Sequence, residues 1–146
     1  MIKFVCNWRK ISHKDACKGV SESAHLLRGD KKILERLENE SLAGSVISIP
    51  PIVYYEVKRG LLAVNSTNKM KMFLSLCSEN IVGDMNINVM NIAAEIYVSF
   101  RKAGRGIEDA DILIAAFCIV HGYTLVTHNL RHFEGIKGLE VEDWSV

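Results

Sequence analysis

The 146-residue chain contains no apolar run approaching the roughly 20 residues needed to span a bilayer, so no membrane partner is expected. Its amino-terminal MIKFVCNWRKISHKDACK has basic residues but neither a sustained apolar core nor a small-residue cleavage site, so a secretory leader is not expected. Charge of one sign is lacking too: 18 Lys and Arg against 17 Asp and Glu give a formal net charge of +1. That excludes a protein that coats nucleic acid by bulk electrostatics, but leaves room for a small basic patch that holds phosphates beside a cleft. Only two prolines occur, adjacent at Pro50-Pro51, and there is no internal repeat or low-complexity tract. No GxGxxG follows a first strand and no strand–GxxxxGK[ST]–helix arrangement exists, which removes the dinucleotide and P-loop readings. The four cysteines are Cys6, Cys17, Cys77 and Cys118. Cys6 and Cys17, taken with His13 and His25, match no compact zinc spacing, and free thiols in a reducing cytoplasm are expected.

What is present is ordinary for a soluble globular domain: 49% hydrophobic and 24% charged residues, in a length that suits one domain, residues 1–146, with a proper core. MIKFV reads as a first strand. Residues 7–23 show no period of 2 or 3.6 and read as a long loop or insertion. ESAHLLRG is a helical turn or two closed by Gly29, and Asp30 can cap a helix KKILERLENE whose Ile33, Leu34 and Leu37 share a face. SVISI, residues 45–49, is a β-branched strand, and Pro50-Pro51 both ends it and suits the first position of the helix IVYYEVKRGLLAV. NKMKMFLSLCSE is amphipathic, and Ile81-Val82 is a short strand. Residues 86–102 place Val89, Ile92, Ala93, Ile96, Tyr97 and Phe100 at helical spacing. Two further strands fall at residues 123–127 and 139–141. Strands alternating with helices imply a parallel sheet covered on both faces, a three-layer α/β/α sandwich of four or five short strands.

The stretch GIEDADILIAAFCIVHGYTLVTHNLRHF, residues 106–133, reads as loop, buried helix, turn, strand and polar loop. Inside its apolar helix sits Asp111, and a lone ionised carboxylate there must be paired, capped, metal-bound or open to a solvated cleft. Ligands in open α/β sheets bind beyond the carboxyl ends of the strands. Glu56, Asp111 and Asn129 all fall where such a crevice opens, and two carboxylates with an amide oxygen suit Mg2+ or Mn2+ better than zinc. Other roles stay open for each. Asp111 suits the positive end of a helix dipole, Glu56 could pair with Arg59 or Lys58, and Asn129 suits a turn. His121 reads as a helix-terminal residue, with His128 and His132 as surface loop residues. Arg101, Lys102 and Arg105 suggest at most a positive rim beside the crevice.

These residues carry a resemblance. GRGIEDADILIAA, residues 104–116, GYTLVTHNLRHF, residues 122–133, and GLEVEDW, residues 138–144, resemble the carboxy-terminal half of PIN-domain toxins of the VapC type. SVISIPPIVYYEVKRGL is similar to that family's second strand and helix, with Glu56 at its glutamate, and LLRGDKKILERL, residues 26–37, to the segment after the first strand. The likeness covers residues 26–144. It implies a PIN-like fold and a Mg2+-dependent (or Mn2+-dependent) endoribonuclease acting on RNA, often tRNA. It implies as well a cognate antitoxin, a homodimer, a cytoplasmic location and metal ligands at Glu56 and Asp111, with Asn129 a weaker ligand or water-orienting group. The family's first strand ends in L-D-T-N, whose Asp is a metal ligand; aligned on MIKFV, Asn7 stands in that place, and aligned back from LLRG the place falls near Gly19, again with no acid. Asp15 and Glu22 are nearby but lie outside any apolar strand. Weak or absent nuclease activity is therefore expected. The rival expectations are a catalytically inactive PIN module that binds an antitoxin or dimerises, and a generic flavodoxin-like binding domain.

Overall fold

The computed structural model describes residues 3–6 and 31–144. The expected loop at residues 7–23, the helical turn at 22–29 and the Asp30 cap lie outside the described residues. Five short strands form one parallel sheet: β1 (Lys3–Cys6), β2 (Val46–Ile49), β3 (Ile81–Val82), β4 (Thr124–Val126) and β5 (Val141–Glu142). Their order is β3-β2-β1-β4-β5. The chain therefore builds outward from β1 in one direction, then returns to β4 on the other side. That reversal marks a topological switch point between β1 and β4, the place where ligands of open α/β sheets bind, beyond the carboxyl ends of the strands.

The helices between the strands are α1 (Lys31–Leu42), α2 (Pro51–Ala63), α3 (Thr67–Glu79), α4 (Ile87–Lys102), α5 (Asp109–His121) and the one-turn α6 (Leu130–Phe133). The local reasons are plain in the sequence. Pro51 takes the first turn of α2, where its missing N–H costs nothing, and Val53, Val57 and Leu61 at helical spacing are buried. Asn86 caps α4 by accepting a 3.1 Å hydrogen bond from the Val89 N–H. Val89, Ala93, Ile96 and Phe100 of α4 face inward, but Tyr97, expected with them, is 43% exposed and takes a hydrogen bond from Arg101 instead. Gly122 (φ 65°) ends α5 in the left-handed conformation that glycine adopts without strain.

Helix α5 is the centre of the core. Ile112, Ile114, Ala115, Ala116, Phe117 and Cys118 are all buried, and α5 packs along α4 and against α2. Strand β4 is buried at every position, as befits the interior of a parallel sheet. The β4–β5 pairing extends past the strands, with Leu125 N donating to Glu140 O (2.8 Å) and Thr127 N to Glu142 O (2.9 Å). The closing Glu142-Asp143-Trp144 then fastens the edge. Trp144 Nε1 donates to Glu142 Oε2 (2.9 Å), and the Arg36 guanidinium of α1 lies 5.6 Å from the Trp144 ring. No helix of the described residues is long and apolar enough to cross a membrane.

Candidate functional site at the carboxyl edge of the sheet

Asp111 lies in the first turn of α5, where the N-terminal backbone N–H groups favour negative charge. It is only 4% exposed. This burial demands partners, and one is His132, whose Nδ1 lies 2.9 Å from Asp111 Oδ2. A carboxylate has no proton to give, so the imidazole Nδ1–H donates. His132 was expected to be a surface loop residue. It is half exposed, but it stands on α6 with its ring turned to the carboxylate. The polar loop expected after β4 is thus a helical turn. Asn129 N donates to Oγ1 of the buried Thr127 (3.1 Å), His132 N donates to Asn129 O (3.2 Å), and the buried Phe133 pins the turn to the core. Asn129, half-buried, takes the N-cap position with no side-chain cap bond.

Glu56 is half-buried in the second turn of α2, the helix that packs against α5. Of its two expected partners it has Arg59, at 3.8 Å, while Lys58 Nζ donates to Tyr54 OH (3.0 Å). Arg101 and Lys102 end α4, and Arg105 lies in the short connection that leads into the first turn of α5, the turn of Asp111. Arg105 Nη1 is engaged there, donating to Glu134 O at 2.8 Å just beyond α6. His128 Nδ1 donates to Asp143 Oδ2 (3.2 Å) and joins the ends of β4 and β5. His121 closes α5 at its far end, as expected, with Nε2 donating to Asp84 O (3.3 Å). Cys77 and Cys118 are free thiols, and burial pushes the Cys77 thiol up to about 11 against the pull of Lys58.

The structure therefore joins Asp111 to His132 directly, puts Asn129 on the same turn as His132, and sets Glu56 on a neighbouring helix. Among the described residues, no three His, Cys, Asp or Glu side chains form a group suited to hold a metal. Asn7, Asp15 and Glu22 lie outside the described residues. The donors present do not make a closed zinc cage. As donor types, two carboxylates and an amide suit a Mg2+-type ion, which is held by one or two carboxylates and otherwise by water and substrate phosphate.

A short parallel sheet in the order β3-β2-β1-β4-β5, with the Asp111–His132 pair on the elements that flank β4, defines the class: an α/β domain of the PIN type. No family model matches the chain. It is 31% identical over 145 residues to ribonuclease VapC1 of Methanocaldococcus jannaschii, covering 97% of this chain and 99% of that protein. A tRNA(fMet)-specific endonuclease VapC from Shigella flexneri is 37% identical over 51 residues, 35% of this chain and 39% of that protein. The chain belongs to the VapC ribonuclease family. In fold it is similar to the crystal structure of VapBC2 from Rickettsia felis bound to a promoter DNA fragment (TM-score 0.79, 21% identity, 99% of each chain). It is likewise similar to VapBC-1 from nontypeable Haemophilus influenzae (TM-score 0.77, 22% identity, 100% of each chain).

Proposed function

We propose that the chain is the toxin of a toxin–antitoxin pair: a Mg2+-dependent endoribonuclease whose substrate is structured RNA of the tRNA class. The observation that carries this reading is the 4%-exposed Asp111, held by His132 at the open end of the sheet beside the helix of Glu56. Glu56 and Asp111 would hold the ion, with Asn129 as a weaker ligand or as a group that orients water. Mn2+ is the natural substitute. An ion bound there supplies charge neutralisation at the scissile phosphate and a lowered pKa for attacking water. The chain itself does the placing. Asp111 offers its carboxylate from a helix whose packing fixes its position, Glu56 does so from the second turn of α2, and the basic residues at the α4–α5 connection favour the approach of phosphate. The relative named for tRNA(fMet) supports tRNA as the substrate class. The neighbours solved as VapBC assemblies support a cognate antitoxin. Exposed apolar side chains along α4 (Ile87, Met90, Tyr97 and Val98) suit a protein contact such as a homodimer.

The sequence carries no acid at the place of the family's first-strand ligand, whether that place is Asn7 or near Gly19, and a site with one negative charge fewer would grip the ion weakly and turn over slowly. The same observation favours a second reading, an inactive PIN module that survives by binding its antitoxin. One experiment separates the two. Purified protein and Asp111→Ala are incubated with tRNA and Mg2+ or Mn2+. Cleavage that the substitution abolishes supports the enzyme; identical null traces support the binding module.

A further inference from the structure

We infer that His132 is a positioning residue that fixes the Asp111 carboxylate in the orientation that accepts a divalent cation. This rests on the functional reading above. The terminal torsion of an aspartate is broad, so the direction of its two oxygens is set by its partners. For Asp111, which is 4% exposed, protein groups must supply what water would supply at a surface. His132 Nδ1 takes Oδ2 at 2.9 Å, a normal length for N–H donating to a charged oxygen. The ring does not arrive by chance. Thr127 Oγ1 receives the Asn129 N–H, Asn129 O receives the His132 N–H, and Phe133 is buried behind them. That chain of bonds makes α6 a rigid turn, which delivers a ring to a carboxylate 21 residues away in sequence. The same turn carries Asn129, so the position of one expected ligand is tied to the orientation of another. Hydrogen-bonded partners of ligating groups are worth about 10- to 100-fold in metal affinity.

The test is Mn2+ affinity, measured calorimetrically without RNA on the full chain and on Asp111→Asn, His132→Leu and His132→Asn. Asn places an amide N–H close to where Nδ1–H sits, so it can restore the bond that Leu removes. The expected result is loss of binding in Asp111→Asn, a 10- to 100-fold loss in His132→Leu, and recovery to within about threefold of the parent in His132→Asn. If Asp111→Asn loses binding while His132→Leu matches the parent, or His132→Asn is as weak as His132→Leu, the inference is overturned and the functional reading stands. If the parent binds no Mn2+, or Asp111→Asn binds as well as the parent, the functional reading falls and takes the inference with it. Should His132→Leu fail to fold, nitrogen NMR of the parent's His132 ring decides. An Nδ1–H whose shift moves in Asp111→Asn supports the inference; a ring protonated only at Nε2 overturns it.

Discussion

Gly83 follows β3 and its N–H donates to Ile49 O at 3.2 Å, which leaves it pressed against the centre of α5. A Cβ added there would meet Phe117 Cζ at 2.4 Å and Cε2 at 2.7 Å. Carbon atoms rest at about 3.5–4.0 Å, so the shortfall exceeds roughly 1 Å. A flexible side chain could swing away, but this ring cannot. Phe117 is buried, stacked on Tyr123 with ring centres 5.8 Å apart and an interplanar angle of 4°, and touched by His121 at 4.6 Å. Gly83→Ala should therefore cost about 1–3 kcal/mol as overpacking. At about 2–4 °C per kcal/mol for a chain near this size, the melting temperature falls by roughly 2–12 °C. Shortening the ring by Phe117→Leu removes the clashing atoms, so in the double variant the two costs should offset one another by on the order of 1 kcal/mol or more. Urea unfolding of the four proteins in the cycle measures this. Costs that add to within about 0.5 kcal/mol would refute the clash.

Asn7→Asp should raise both Mn2+ affinity and Mg2+-dependent RNA cleavage, and leaving both unchanged would show that Asn7 is not the missing-ligand position. Asn86→Ala removes the cap of α4 and should lower stability by about 1 kcal/mol in denaturant unfolding, with no change beyond a few tenths if the cap carries nothing. Burial raises the Cys77 thiol from 9.0 to about 11. The folded state therefore holds its proton more tightly than the unfolded one. This stabilisation is complete below pH 9 and is lost as pH rises through 9 toward 11. Cys77→Ala should flatten that alkaline decline in unfolding free energy, and an unchanged slope counts against the shift.

Most of the framework was legible because its signals are local. The run from Ala110 to Val120, apolar at every position but Asp111, reads as a buried helix, and α5 is one. VISI between turn signals, and TLV after Gly122, are strands within a residue or two of the expected bounds. Strand β5 falls at Val141–Glu142, two residues later than the start expected for it, because a two-residue edge strand has no periodicity to fix its register. Tyr97 has helical spacing with the core face, yet its hydroxyl and the neighbouring Arg101 keep it at the surface, where an aromatic body and a polar tip are both served. The site was legible in part. A lone acid in an apolar helix announces that Asp111 has a partner, but not which one. His132 is 21 residues away and rides on a single helical turn too short to show a 3.6-residue period. Glu56 beside Arg59 shows that an ordinary ion pair and a candidate ligand are the same residue seen for two purposes.

Paramagnetic broadening by Mn2+ in the amide NMR spectrum of the full chain bears most directly on the site as a whole. If Glu56 and Asp111 hold the ion, substoichiometric Mn2+ should erase the signals around residues 56, 109–113 and 127–132 first, and Asp111→Asn should restore them. Broadening centred elsewhere, or a pattern identical in Asp111→Asn, would contradict a metal-dependent site at the carboxyl edge of this sheet.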